Sequence, residues 1–171
     1  MTEQKKQTLV GKKIVIVGEE HYTNIYKEDM ERHGAVVEYP ASNIGDKELK
    51  HDAAETIGKE ILAMERKPDV VFIHHPQMDM YEAGGQLFDR PFEDNPTLEL
   101  AGMLKTAGIP TLIVDQYGRR MTQAKEAVLR DAGATFRGMF DTHYDEVTTL
   151  LAYMANNKGK LTGFGAARRV R

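Results

Sequence analysis

A doubly wound α/β fold around a five-stranded parallel sheet, with strand order 2-1-3-4-5, is what the sequence predicts, and three observations predict it. Short β-branched and apolar runs recur without in–out alternation, the pattern of strands buried on both faces. Segments with apolar residues at helical spacing separate them, so strand and helix alternate and right-handed crossovers place helices on both faces of the sheet. The 171 residues suit one domain of ordinary size, long enough to bury a core without a disulfide or zinc staple.

In chain order, Lys12-Lys13 open the run Ile14-Val15-Ile16-Val17, which Gly18 closes. Residues 22–33 follow as a helix with Tyr22, Ile25, Tyr26, Met30 and His33 on one side, stopped by Gly34. Ala35 to Tyr39 is a second short strand, ended by Pro40. Leu49, Ala53, Ile57, Ile61 and Met64 mark a helix from Lys47 to Arg66, and Val70-Val71-Phe72-Ile73 is the third strand. Residues 74–96, with three Pro and Gly84-Gly85, read as a long loop with one short helical turn near Met80-Tyr81. A helix from Thr97 to Ala107 stops at Gly108, Ile109 to Val114 is the fourth strand, and Arg119 to Ala132 forms a helix ended by Gly133. Ala134 to Phe140 is the fifth strand, and Val147, Leu150, Leu151 and Met154 line the last helix. The organisation is thus a lead-in (residues 1–11), one α/β domain (12–156) of flavodoxin-like order, and a basic tail (157–171) expected to be flexible.

Composition excludes several classes. With no Cys there is no disulfide framework, thiolate metal site or Cys nucleophile. No GxSxG elbow is present, and neither GxGxxG nor GxxxxGK[ST] follows the first strand. Apolar runs stop far short of the roughly 20 residues that span a bilayer, and no secretory signal opens the chain, so a soluble cytoplasmic protein is expected. The net charge of −3 divides into +5 on the tail and −8 on the rest, which argues against nucleic-acid binding except through the tail.

In such folds ligands sit outside the carboxyl ends of the strands. Glu19, Glu20 and His21 follow the first strand, and His74 and His75 the third. Asp115 and Gln116 follow the fourth, and Asp141 and His143 the fifth. Imidazole and carboxylate together suit a divalent metal such as zinc, iron, nickel or manganese. The sharpest candidate set is Glu19, Glu20 and His74, with His21, Asp115 and His143 nearby; strand-end residues are also polar simply because they emerge into loops. No HxH or HExxH spacing fixes two ligands on one element, so no cofactor is expected and a divalent metal stays open.

Lys13-Ile14-Val15-Ile16-Val17-Gly18-Glu19-Glu20, Pro68-Asp69-Val70-Val71-Phe72-Ile73 and Pro76-Gln77-Met78-Asp79 together resemble the receiver domain of two-component response regulators, the CheY-like family. Ile109-Pro110-Thr111-Leu112-Ile113-Val114, then Ala132-Gly133-Ala134 and Asp145-Glu146-Val147, extend the resemblance in order over residues 12–156. It implies a pocket of two acids holding magnesium, a phosphorylatable Asp ending the third strand, a Thr or Ser after the fourth and a Lys after the fifth. Here Gly18 stands at the first acid, leaving Glu19 and Glu20, and His74 stands at the phosphoacceptor. Asp115 replaces the hydroxyl residue and Phe140 falls where the Lys belongs. The resemblance therefore implies a degenerate pseudo-receiver, a non-phosphorylatable signalling module without catalytic residues that acts by protein–protein interaction. Its partner, or a second copy in a homodimer, would meet the face of helix four, strand five and helix five (Arg119, Arg120, Tyr144, Tyr153) or the apolar-rich 76–96 loop. The alternative from the residues alone is a metal- or small-ligand-binding α/β enzyme with its site at the strand ends, the 76–96 loop forming a lid.

Overall fold

The computed structural model describes residues 8–44, 49–74, 80–83, 86–89, 94–115, 123–138 and 144–157. The elements run β1 (Lys13–Val17), α1 (Glu20–Arg32), β2 (Val36–Glu38), α2 (His51–Ala63), β3 (Val70–His74), β4 (Met80–Ala83), β5 (Gln86–Asp89), α3 (Pro96–Thr106), β6 (Thr111–Asp115), α4 (Gln123–Asp131), β7 (Ala134–Gly138) and α5 (Tyr144–Asn156). Five strands pair in parallel in the order β2-β1-β3-β6-β7. This is the 2-1-3-4-5 order read from the sequence.

Strand alternation sends side chains into two cores. Val15, Val17, Val71, Ile73 and Ile113 face one side and pack with Ile57 and Ile61 of α2, Leu100 and Leu104 of α3 and Leu129 of α4. Ile14, Ile16, Val70, Phe72, Leu112 and Val114 face the other, against Tyr26 and Met30 of α1 and Val147, Leu151 and Met154 of α5. Every residue of β1 and β3 is buried, which explains why neither strand alternates in hydrophobicity. Leu9, read as part of the lead-in, is buried in the α1/α5 core, so the folded body begins before residue 12.

The helix stops have a common form. Gly34 adopts φ +89, its N–H bonds the Glu31 carbonyl, and the Ala35 N–H bonds the Met30 carbonyl. This double bond satisfies the last carbonyls of α1 and needs a left-handed residue, which glycine supplies. Gly108 repeats it after α3. α2 ends at Ala63, three residues before Arg66, where the sequence placed its end; no glycine stops it, and Pro68 disfavours helical backbone just ahead of it.

Two readings are corrected. Met80-Tyr81 form no helical turn: Met80–Ala83 and Gln86–Asp89 pair antiparallel, with Tyr81 opposite Phe88 and Ala83 opposite Gln86. The two intervening chain positions are Gly84 and Gly85, the two-residue spacing of a tight hairpin. The buried side of α1 is also rotated. Tyr22 and Ile25 are half exposed, while Thr23, Tyr26, Asp29 and Met30 are buried. Counting only apolar residues misplaces the stripe because two buried positions are polar and hydrogen-bonded. Asp29 accepts from Thr148 Oγ1 of α5 at 2.5 Å and from Arg32 at 3.1 Å, tying the two helices of one layer together.

Two buried threonines should respond oppositely to the same change. Thr148→Val removes a donor from the buried Asp29 carboxylate and should cost about 1–3 kcal/mol in chemical denaturation. Thr111 Oγ1 is buried with no partner among the described residues, so Thr111→Val should raise stability by about 1 kcal/mol.

Candidate functional site

β1 and β3 lie side by side, while the chain leaves β1 for β2 on one flank and reaches β3 on the other. This reversal of strand order opens the crevice where ligands bind in doubly wound sheets. β3 ends in His74, paired with Val114 of β6, and Gly18 stands beside it past the end of β1.

His74 continues the Val70, Phe72 side of β3, and period-two alternation sends it toward α1. Its ring stacks near Tyr22, with centroids 6.4 Å apart and planes at 24°, and lies 6.1 Å from Tyr26. The residue is 1% exposed, and neither ring nitrogen has a hydrogen-bond partner among the described residues. Burial without compensating charge pushes its pKa down to about 4, so the ring is neutral at physiological pH.

Gly18 permits this packing. A Cβ at that position would fall 3.0 Å from the His74 carbonyl oxygen and 3.1 Å from Thr23 Cγ2. Asn43, from the loop after β2, clamps both backbone groups of Gly18: its Oδ1 accepts from the Gly18 N–H at 3.0 Å and its Nδ2 donates to the Gly18 carbonyl at 2.7 Å. Thr23 adds a donor to the Glu19 carbonyl at 2.9 Å and a hydroxyl contact to Tyr39 at 2.8 Å. Sequence reasoning missed Asn43, whose only signal is an amide in a short loop after Pro40.

The structure sets Glu20 on a different side of α1 from His74. Glu19 is the half-buried residue that precedes α1, and Glu20 opens the helix, exposed. Glu20, His21, Asn24, Lys27 and Tyr39 line one shallow polar depression. At about 100° per residue, Glu20 sits roughly 200° around α1 from Tyr22, the residue stacked near His74. Among the described residues no group of three or more His, Asp and Glu side chains could hold a metal ion. Asp115 ends β6 with its backbone opposite Gly138. His75, Gln116, Phe140, Asp141 and His143 lie outside the described residues, as do Arg119, Arg120 and most of the tail.

No family model matches the chain and no curated protein matches it. Solved structures do. One is the crystal structure of a CheY-like response regulator receiver domain protein from Methanospirillum hungatei JF-1, with a TM-score of 0.56 and 14% identity over 86% of this chain and 96% of that one. Another is a fusion carrying a trimeric coiled-coil segment of yeast Spc42, with a TM-score of 0.56 and 14% identity over 95% of this chain and 89% of that one. At such identity the likeness shows the fold: this chain has a receiver-like α/β fold. No helix among the described residues is long and apolar enough to cross a membrane.

The depressed pKa of His74 fixes a pH dependence. Between about pH 4 and 6.5 the unfolded chain binds a proton at His74 that the folded chain does not. This contribution to stability is therefore complete above pH 6.5 and is lost as pH falls through the interval, by about 3 kcal/mol in all. Chemical denaturation from pH 4.5 to 7 should show that slope in the wild type and a shallower one in His74→Leu, which should also be more stable at pH 5.

Proposed function

We propose that this protein is a non-phosphorylatable, receiver-like signalling module that acts by protein–protein contact. The observation that carries the reading is His74. A receiver needs a charged, solvent-accessible carboxylate at the end of its third parallel strand, beside a magnesium ion held by acids of the first. At that position this chain has a neutral imidazole, sealed beneath two tyrosines of α1. Gly18 supplies no side chain at the first acid's place, its backbone groups already serve Asn43, and Glu20 faces a different part of α1.

Without phosphotransfer, such a domain works through its surfaces. β7 is the last strand of the sheet order, flanked in sequence by α4 and α5, and this is the face through which receivers commonly meet partners or a second copy. The hairpin of β4 and β5, inserted between β3 and α3, departs from a plain βα repeat and is the second candidate surface. We assign the module to the cytoplasm.

Incubation with acetyl phosphate and magnesium should leave the intact mass unchanged, and beryllofluoride with magnesium should leave the melting temperature unchanged. Stoichiometric phosphorylation, or a clear thermal shift with beryllofluoride, would show a working receiver.

A further inference from the structure

A second histidine is built in the opposite way from His74. His51 is the first residue of α2. Its Nδ1 lies 2.6 Å from Glu99 Oε2, in the first turn of α3. Its Nε2 lies 2.9 Å from the Asp94 carbonyl oxygen and 3.2 Å from Asp94 Oδ1, just ahead of that helix. Both ring nitrogens thus face acceptors, and rotating the ring by 180° changes nothing, because neither a carbonyl nor a carboxylate can donate.

A neutral imidazole has one donor and one lone pair, whereas the imidazolium has two donors. Only the charged ring can bond both partners. We infer that His51 is a pH-operated latch, which when protonated pins the start of α3 to the start of α2 and when neutral must release one of its two contacts. This goes beyond the proposed signalling role and does not depend on it.

The charged groups around the ring support this. Glu99 and Asp94 face it from α3 and its approach, and hydrogen bonding to Glu99 above all raises its pKa over the usual histidine value. On its own element Lys50 precedes it, Asp52 follows and Glu55 lies one turn on. Partial burial opposes protonation, and the two acidic partners outweigh it. Since the folded-state pKa is raised, the stabilisation is present below about pH 6.5 and is lost as pH rises through the folded-state value. The latch sits on the α2–α3 layer, which packs through Ile57, Ile61, Leu100 and Leu104. Its release therefore loosens the first turn of α3, where the Leu98 N–H bonds the Asn95 carbonyl, and leaves the core in place.

The test is amide hydrogen exchange of the full chain at pH 5.5 and pH 8.5, corrected for intrinsic rates, with the β3 amides as an internal reference. Protection of Thr97 and Leu98 relative to β3 should be about threefold greater at pH 5.5, as befits an exposed charged contact. That difference should vanish in His51→Gln and shrink in Glu99→Gln, while the ring of wild-type His51 should titrate above pH 6.5. Equal relative protection at the two pH values, an unchanged difference in His51→Gln, or titration of His51 at or below pH 6.5 would overturn the latch.

Discussion

The close approach of β1 and β3 at their carboxyl ends is the constraint on which the rest of this site depends. The two strands are the middle of the α/β body and are buried along their whole length. Where they emerge, Gly18 comes so near His74 that a single added carbon would crowd the His74 carbonyl. The same glycine lets the loop after β2 reach in, because Asn43 can bond both of its backbone groups. A side chain at position 18 would disturb strand packing, loop anchorage and the seat of α1 over His74 together.

That packing decides the electrostatics of the crevice. A phosphotransfer pocket holds several charges in a small volume, each offset by another or by a metal ion. Here the central position is an uncharged ring with both nitrogens unsatisfied among the described residues, an arrangement that costs stability. Glu20 is turned to a polar depression on another side of α1. His51 gives the contrast: partly exposed and set between acceptors, it is drawn toward the charged form. The two histidines shift in opposite directions because one has lost water without gaining partners and the other has gained partners while keeping some water.

Much of the fold was legible in the sequence because burial on both faces leaves a plain signature. Ile14-Val15-Ile16-Val17 and Val70-Val71-Phe72-Ile73 can hardly be read otherwise, and Gly34, Gly108 and Gly133 mark chain reversals that require positive φ. The hairpin was hidden because each of its strands is four residues long and the run is flanked by prolines, so Gly84-Gly85 read as loop punctuation. The buried side of α1 was misplaced because Thr23 and Asp29 enter the interior through hydrogen bonds, which hydrophobic spacing does not register. At the strand-end rim, the sequence gathered four histidines and four acids onto one edge but could not say which face of α1 each would take. His21 and Glu20 turn to the depression, while His74 goes under the tyrosines. The Asn43 clamp joins residues 25 positions apart and had no local pattern to betray it.

The central claim is that the end of β3 holds a buried neutral imidazole where a receiver holds its charged acceptor. Nitrogen-15 NMR of the His74 ring, followed from pH 7.5 down to the onset of acid unfolding, tests it most directly. The ring should remain a neutral imidazole through pH 5 and charge only near pH 4 or as the chain unfolds. A ring that titrates near pH 6.5 in the folded protein would show a solvated, open strand-end pocket and contradict the account.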